Sequence, residues 1–421
     1  APAEEVQPVT EPVQDEEAAP VTVKEEPGFV EAEAALEGGE GRQKTLFYRP
    51  SDGALDGAPG CALYVKDPQT KESCLLVGDA KLEPWQAAWK GKFQGITWKQ
   101  EVFLPPQAAE EVRLVTLTAE QDCEVLLYAY AEPALCTRRE YAAHRAFQKL
   151  FVTAEERENG LAFERRGRAV RLETALLGCE LTGCATDRMA ALGRRREGAA
   201  PRFLEQGGAA FKRVPVDPCA LLCGRLKLFA GKSAQAAFVL RLTSGAEDES
   251  GKTESLQEAK SAQLLARQFA LDRLRYLNIS AKEYEKMRAW LTRLLRAEPE
   301  NRRLAALKQN RLSREGLYRF SISGDEPIAV LLLDSPRGLA LAAEFSRFLR
   351  FLDLSDFVLD AVVLLSCRAA ADDALLRRFE EAFGGIRRVK LLKEQETNRA
   401  ERDLLLAAAQ LILQEGGEGA Q

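Results

Sequence analysis

The stretch from Arg311 to Asp334 constrains the fold more than any other, because it separates two patterns of hydrophobicity. Leu317 to Ile322 is rich in aromatic and β-branched residues and predicts a strand. Ser323-Gly324-Asp325 predicts a turn, since glycine accepts a positive φ and aspartate hydrogen-bonds to its own backbone. After Pro327, the apolar run Ile328 to Leu333 is typical of a strand buried on both faces of a covered sheet. The chain before this stretch and the chain after it therefore belong to different architectures.

From about Thr45 to Ser244 apolar and polar residues alternate with a period of two, which is typical of strands with one buried face. Ile96 to Val102 shows this alternation, and Trp98 falls on its core face. Four further segments complete the pattern: two denser runs that predict central strands, and two that predict a hairpin across Gly231-Lys232-Ser233. They are Val112 to Leu117, Val125 to Tyr130, and Leu226 to Phe229 with Phe238 to Leu242. Many short strands with little helical signal predict an antiparallel sandwich.

From Ser255 the period changes to 3.6 residues, which predicts helices. Leu264, Leu271 and Leu274 share one face of the first helix. Ser280 with Glu283 forms a capping box that opens a second helix, which Pro299 ends. The predicted buried stripe of that second helix consists of Tyr284, Met287, Leu291 and Leu294.

After Asp334 helices and strands alternate, which predicts right-handed crossovers and a small parallel sheet. Ser335 is a candidate N-cap with Pro336 at the first helical position. The apolar face of that helix is predicted to hold Leu341, Phe345, Phe348 and Leu352. The remaining predicted elements are strands at Ala361 to Leu365 and Arg388 to Leu392, and helices at Ala371 to Phe383 and Arg402 to Leu413.

These patterns predict an α+β fold of four segments. Residues 1–44 form an acidic, proline-rich tail, since residues 1–41 hold 12 acidic residues against one lysine and bury too little apolar surface to be ordered. Residues 45–250 form a large antiparallel β-sandwich, 251–312 a helical linker, and 313–415 a small α/β module with a parallel sheet.

Four segments of the chain resemble one carbohydrate-active family. "GLYRFSISGDEPIAVLLL", "ITWKQEVFLPPQAAEEVRLVTLT", "AHRAFQKLFV" and "ATDRMAALGRRR" are similar, in the family's own order, to the cyclic β-1,2-glucan synthase and β-1,2-oligoglucan phosphorylase group of glycoside hydrolase family 94. The resemblance covers Cys61 to Leu413. It implies that the sandwich is the large two-sheet supersandwich of sugar-active enzymes.

The resemblance also implies phosphorolysis of β-glucosidic bonds or transglycosylation on β-1,2-glucans. In that family a helical toroid holds the general acid and the phosphate site, and no segment here resembles it. The chain is therefore interpreted as a non-catalytic N-terminal scaffold with no catalytic residue of its own. Two alternatives remain open: a stand-alone carbohydrate-binding protein, and an interaction module without sugar affinity. Exposed aromatic side chains grouped on a concave face would favour the binding protein.

Trp85 and Trp89 are the candidate carbohydrate-binding residues, because their flat apolar faces could stack on sugar rings. Ser323, Gly324 and Asp325 are candidates for a turn or a ligand site, and turn chemistry favours the turn. Asp325 and Glu326 are adjacent and diverge, so they cannot face each other across a glycosidic bond as a catalytic pair would.

At the carboxyl ends of the predicted parallel strands lie Asp334, Ser335, Ser366 and Cys367, where open α/β sheets gather ligands. No glycine-rich phosphate loop follows these strands, so helix capping is the favoured role of Asp334 and Ser335. Cys367 is interpreted as a small core residue, because the single histidine, His144, falls in the sandwich segment and cannot serve as its base.

Composition narrows the function classes further. Nine cysteines in no C-x-x-C pair and one histidine argue against a Cys/His zinc site, and no metal or other cofactor is expected. An odd number of scattered cysteines suits a reducing cytoplasm. No apolar run is long enough for a transmembrane segment. Outside the acidic tail the net charge is only mildly basic and is spread diffusely, so nucleic acid is not an expected partner. The expected partners are a β-glucan, bound through a catalytic module, and a second copy of the chain in a homodimer.

Overall fold

The computed structural model describes residues 31–35, 42–49, 60–78, 81–168, 170–193, 201–206, 211–243, 252–296, 301–355 and 357–415. The chain forms two compact units, Ala1–Arg267 and Gln268–Gln421. Strands and helices are numbered below in chain order.

The first unit is built on an eight-stranded antiparallel sheet. Its strands, in spatial order, are β10 (Val152–Arg157), β11 (Gly160–Arg165), β12 (Arg171–Leu177), β15 (Ser233–Thr243), β8 (Glu110–Ala119), β7 (Ile96–Phe103), β6 (Gln86–Phe93) and β5 (Lys81–Glu83). In β7, Ile96 and Trp98 are buried while Thr97 and Lys99 are exposed, which is the predicted alternation.

A five-stranded antiparallel sheet makes the second layer. Its spatial order is β13 (Glu180–Asp187), β14 (Pro218–Leu228), β9 (Cys123–Ala131), β3 (Cys61–Lys66) and β4 (Ser73–Leu75). One hydrophobic core contains side chains from both sheets, including Leu117 and Phe238 from the first and Leu127 and Leu222 from the second. The large antiparallel sandwich predicted from the sequence is confirmed.

The predicted hairpin between Leu226 and Leu242 is wrong. β14 pairs with β9 and β13, whereas β15 pairs with β8 and β12, so the chain crosses from one sheet to the other at Gly231. Gly231 has a φ of +68°, which allows the sharp reversal. Sequence alternation identifies both strands but does not reveal their partners.

A two-stranded antiparallel ribbon, β1 (Glu31–Ala35) and β2 (Arg42–Leu46), precedes the sandwich. The structure thus differs from the predicted tail within these strands, and the rest of residues 1–41 lies outside the described residues. Short helices in the loops are α1 (Arg138–Ala143), α2 (Arg145–Lys149), α3 (Arg188–Leu192) and α4 (Phe203–Gln206).

Three helices follow: α5 (Leu256–Tyr276), α6 (Ala281–Arg296) and α7 (Asn301–Gln309). The predicted capping box of α6 is present, because the Ser280 N–H donates to Glu283 (2.9 Å) and the Glu283 N–H donates to the Ser280 hydroxyl (3.3 Å). The predicted face of α5 is wrong at Leu264, which is 66% exposed. Ala259 and Ala266 are the buried residues, because small side chains let the helix lie close to the outer face of the eight-stranded sheet. Pro299 lies outside the described residues.

The second unit contains the predicted parallel sheet, with spatial order β18 (Val389–Lys393), β17 (Asp360–Leu365), β16 (Ile328–Leu333) and β19 (Leu411–Gln414). Helices α8 (Gly338–Asp353), α9 (Cys367–Ala370), α10 (Asp373–Phe383) and α11 (Arg399–Ala408) connect or flank the strands. Residues Ala329 and Leu331 of β16 belong to one core and Val330 to another, so the strand is buried on both faces as predicted.

Three local predictions in this unit are wrong. Leu317 to Ile322 is not a strand, because Arg314–Phe320 forms a 3-10 helix whose period of three buries Leu317 and Phe320 and leaves Tyr318 57% exposed. The last helix ends at Ala408 rather than Leu413, because the apolar run Leu411–Gln414 pairs with β16 as a strand. Ser335 does not cap α8, which begins at Gly338.

Candidate functional site

Trp89 does not offer an exposed face for a sugar. It lies in β6, is 2% exposed and belongs to the core between the two sheets. The prediction is wrong because strand alternation places Trp89 and Ala87 together on the inner face of the sheet. Trp98, predicted to be a core residue, is 4% exposed in the same cluster.

Trp85 lies in the turn before β6 and is half-buried. The Arg267 guanidinium lies over its ring, 5.2 Å from the ring centroid, in cation–π geometry. One face of the indole is therefore already in contact with the protein. A role of Trp85 in sugar binding stays a prediction.

Ser323, Gly324 and Asp325 form the predicted bend, which joins the 3-10 helix to β16. Gly324 has a φ of +73°, and the Asp325 N–H donates to the Ser323 hydroxyl (3.2 Å). Arg314 closes the bend, since its Nε donates to the Ser323 carbonyl (2.7 Å) and its guanidinium pairs with the Asp325 carboxylate. These contacts stabilise Ser323, Gly324 and Asp325 as a turn. A role of the three residues in ligand binding stays a prediction.

The carboxyl ends of β16 and β19 meet at a carboxylate that the sequence analysis missed. Glu415 accepts hydrogen bonds from the Asp334 N–H (2.7 Å), the Ser335 N–H (2.9 Å) and the Ser335 hydroxyl (2.6 Å). Ser366 caps α9, since its hydroxyl accepts from the Ala369 N–H (3.3 Å). The polar groups of Asp334, Ser335 and Ser366 at this edge thus form hydrogen bonds within the protein. The prediction that Cys367 is a core residue is wrong, because its side chain is exposed.

A groove in the first unit combines space with chemically diverse side chains. It lies beside β10, β11 and β12, has a volume of about 480 Å³, and is called the β10–β12 groove. Its lining residues come from these three strands and from the segment 211–213: Thr153, Ala154, Glu155, Glu156, Ala162, Glu164, Arg171, Phe211 and Arg213. No lining residue was singled out from the sequence.

Strand register explains why these residues meet. Thr153 pairs with Glu164 across β10 and β11, and Glu164 pairs with Arg171 across β11 and β12. Val152 and Ala154 point into the core, so Thr153 and Glu155 point away from it. The alternation in "VTAEER" signals such an outer face, but the cross-strand pairs follow only from the register.

Arg171 holds two carboxylates of the groove together. Its Nη2 lies 2.7 Å from Glu155 Oε2, and its Nη1 lies 3.2 Å from Glu164 Oε1. The two glutamates are both 59% exposed, so they remain open to solvent beside the bound guanidinium. The arrangement presents hydrogen-bond acceptors and donors in alternation along one wall.

Backbone and side-chain contacts fix the aromatic side of the groove. The Ala154 N–H of β10 donates to the Arg213 carbonyl (2.8 Å), and the Lys212 N–H donates to the Thr186 hydroxyl (2.7 Å). Lys212 Nζ also pairs with the Asp187 carboxylate at 2.7 Å. Phe211 directly precedes Lys212 and Arg213, whose hydrogen bonds hold the backbone of this segment in place. Its side chain is 38% exposed, so part of the ring is accessible to solvent.

Deep in the same unit, Glu132 is the centre of a charged cluster. Its carboxylate accepts from Arg49 Nε (2.9 Å), Arg188 Nε (2.9 Å) and the Tyr130 hydroxyl (2.9 Å), and the side chain is 1% exposed. Burial alone would raise the pKa of the Glu132 carboxyl, but the two guanidinium groups outweigh it and hold that pKa below its usual value. The cluster fixes loops to β9 and has the character of a structural element.

A second buried network links the ends of the sandwich strands. Glu111 accepts from the Tyr48 hydroxyl (2.8 Å) and from Arg113 Nε (2.6 Å). Burial, followed by the Glu111 charge, raises the pKa of the Tyr48 hydroxyl, so Tyr48 stays protonated as a donor. The neighbouring Glu110 likewise accepts hydrogen bonds from Arg241 Nε (2.5 Å) and from the Thr253 hydroxyl (2.7 Å).

Within the described part of the chain, no three His, Cys, Asp or Glu side chains gather as a set of metal ligands. None of the helices found there is both long and apolar enough to cross a membrane.

Comparison with solved structures finds sugar-active enzymes at low similarity. A bacterial glucoamylase complexed with acarbose is 13% identical over 62% of this chain and 41% of its own, with a TM-score of 0.35. A protein described as a kojibiose phosphorylase from the human microbiome is 9% identical over 56% and 31%, with a TM-score of 0.28. A polysaccharide lyase is 12% identical over 52% and 33%, with a TM-score of 0.31. The chain thus spans only 31% to 41% of the length of these proteins.

No curated protein sequence matches the chain significantly. The family model described as glycosyl hydrolase 94, supersandwich domain, matches residues 79–262, which is the part of the chain that runs from β5 into α5.

Proposed function

We propose that this chain is the scaffold portion of a carbohydrate-active enzyme that acts on β-glucans by phosphorolysis or transglycosylation. The observation that carries the proposal is the match of residues 79–262 to the supersandwich model, over the range that holds most of both antiparallel sheets. In the proposed enzyme the chemistry belongs to a separate helical catalytic module.

The charged networks support a scaffold role. Glu110, Glu111 and Glu132 are all buried and all bound to arginine, and breaking such a pair leaves an uncompensated buried charge. They therefore favour one geometry for the ends of the strands and the loops. A rigid sandwich of this kind can position another module without taking part in the reaction.

The groove carboxylates do not resemble a catalytic pair. A glycosidase acid sits in an apolar environment that keeps its proton, with a second carboxylate facing it across the sugar. Glu155 and Glu164 instead share one guanidinium and are exposed to solvent. The proposed function therefore assigns no catalytic residue within the described part of the chain.

The test is an assay of the purified chain with β-1,2-glucan and inorganic phosphate. We expect no glucose 1-phosphate and no change in glucan chain length above a heat-inactivated sample. Glucose 1-phosphate formed in proportion to the amount of chain would contradict the scaffold assignment.

A stand-alone glucan-binding protein is the second candidate, and the β10–β12 groove with exposed Phe211 is the observation that favours it. Chromatography of cell extract on a sizing column separates the two candidates, because a scaffold elutes with its catalytic module and a binding protein elutes alone. A cytoplasmic location and a homodimer stay predictions.

A further inference from the structure

We propose that the β10–β12 groove binds a neutral oligosaccharide, with the Phe211 ring against the sugar and Glu155, Glu164 and Arg171 hydrogen-bonded to its hydroxyl groups. The inference deepens the proposed function, because the choice of sugar as the ligand rests on it. The site lies within the first unit and is independent of Trp85.

The shape of the groove suits a small ligand. A volume of about 480 Å³ falls within the usual range for small-molecule sites, roughly 300–1,000 Å³. Ala162 is among its lining residues and is buried, and it pairs with Glu155 of β10 on one side and Glu173 of β12 on the other.

The charges of the groove favour a neutral ligand. Three carboxylates, from Glu155, Glu156 and Glu164, line it with two guanidinium groups, from Arg171 and Arg213. A strongly charged ligand would meet both signs within a few ångströms, so repulsion would offset much of its attraction. Sugar hydroxyls can instead donate to carboxylate oxygens and accept from guanidinium N–H groups, so they satisfy both kinds of partner.

The polar wall is organised before any ligand arrives. Arg171 is held by Glu155 at 2.7 Å and by Glu164 at 3.2 Å. Glu155 Oε2 also accepts from Arg157 Nη2 (3.1 Å), so Glu155 offers its other oxygen, Oε1, to a sugar hydroxyl, while Glu164 Oε1 keeps a second lone pair. Side chains already fixed in position lose less conformational entropy when a ligand binds. The smaller entropy loss of the protein offsets part of the conformational entropy that a flexible oligosaccharide loses when it binds.

Phe211 supplies the apolar contact that hydroxyl groups cannot. An exposed aromatic ring presents a flat surface to the C–H face of a pyranose, and its two side-chain torsions make it inexpensive to order. The anchors at Lys212 and Arg213 hold the backbone of this residue in place. The aromatic face and the hydrogen-bonding wall thus line one groove on fixed backbone.

The experiment measures binding of short β-1,2-linked glucan oligosaccharides to the full chain by ligand-observed NMR, with cellulose-type β-1,4 oligosaccharides in a second arm. An open groove with one aromatic ring predicts a Kd of about 1 mM. Phe211→Ala should weaken binding about ten-fold, Phe211→Tyr should preserve it, and Glu155→Gln should weaken it by a smaller factor. Phe229→Ala is the matched control, since Phe229 is 57% exposed and lies outside the groove, and it should leave the affinity unchanged.

Salt and an anionic probe test the chemical class. Affinity for a neutral sugar should be nearly constant between about 0.05 and 0.5 M NaCl, whereas that of an anionic glycan would fall. Tighter binding of heparin fragments than of neutral oligosaccharides would overturn the assignment of a neutral ligand.

Two results would overturn the groove itself. One is a wild-type chain that binds none of the oligosaccharides at about 10 mM, ten-fold above the expected Kd. The other is a folded Phe211→Ala chain that binds as tightly as the wild type but loses binding on Trp85→Ala. The second result would overturn the groove proposal but leave the proposed function unchanged. Formation of glucose 1-phosphate by the chain would contradict the proposed function but would not bear on sugar binding in the groove.

Discussion

At the scale of single residues, the first unit is defined by carboxylates buried against arginine. Glu132 binds two guanidinium groups and a tyrosine hydroxyl while only 1% exposed. Such a network contributes little net stability compared with apolar packing, yet losing one member is costly because the others keep their charge in a medium of low polarity. The network therefore favours a single conformation of the loops more than it adds to the free energy of unfolding.

Glu132→Gln should lower the free energy of unfolding by about 3–5 kcal/mol at pH 7, because Arg49 and Arg188 are then left without their central carboxylate. The folded-state pKa of Glu132 lies below that of the unfolded chain, so the stabilisation is complete above about pH 4.5 and is lost as the pH falls through the folded-state value. Urea titrations from pH 7 to pH 3 should therefore show the two proteins converging in acid.

The control for this change is Glu124→Gln, in β9, the strand that Glu132 directly follows. Glu124 is 38% exposed and lies 3.3 Å from Arg225, so its removal should cost less than about 1 kcal/mol. Equal effects of the two substitutions, or a difference from the wild type that does not shrink at low pH, would contradict the role given to Glu132.

Trp85 and Trp89 show what residue-level inference from sequence can decide. Their spacing and polar neighbours gave both the same predicted exposure, but β6 begins between them, at Gln86. Trp89 then follows the inward alternation of its strand, and Trp85 stays in the turn beside Arg267. The start of a strand, uncertain by a few residues in sequence, decided which tryptophan is buried.

At the scale of elements, strongly patterned segments were predictable and their partners were not. Ile328–Leu333 and Asp360–Leu365 form the expected parallel strands, because a continuous apolar run has few other stable environments. β14 and β15 were each identified but assigned to one hairpin, although they lie in different sheets. The groove was missed for the same reason, since Glu155, Glu164 and Arg171 meet only through the register of three strands.

Short apolar segments were the other source of error. Leu317 to Ile322 has the composition of a strand, but Gly316 lies against Leu404 of α11, where an added Cβ would come within 2.6 Å of the leucine side chain. This close approach suits a compact 3-10 turn packed on the helix. Composition alone does not show such tertiary contacts.

The cap of α6 offers a quantitative test at this scale. Ser280→Ala removes both the hydroxyl that accepts from the Glu283 N–H and the reciprocal arrangement of the capping box. We expect a loss of about 1 kcal/mol in the stability of the second unit, measured by urea unfolding. Thr292→Ala is the control, because Thr292 lies inside α6 of the same unit and its hydroxyl donates to the Arg288 carbonyl rather than to a helix end (3.0 Å). That substitution should leave stability nearly unchanged, and a loss as large as that of Ser280→Ala would argue against the cap.

At the scale of the whole molecule, each compact unit encloses cores of its own. The sandwich core joins strands of two antiparallel sheets, while the second unit buries both faces of its parallel sheet. A unit with a complete core can unfold as a separate cooperative transition. The two units therefore need not share one stability.

Hydrogen exchange in graded urea should resolve these transitions. Leu365→Ala in β17 and Leu117→Ala in β8 remove the same side chain from a fully buried strand position, each at a cost of about 2–5 kcal/mol. Leu365→Ala should lower the urea midpoint of peptides from β16 and β17 and leave those from β8 and β9 unchanged. Leu117→Ala should do the reverse, because the lost contacts belong to the other core. A common shift of all peptides in either variant would mean that the chain unfolds as one cooperative body, in spite of its separate cores.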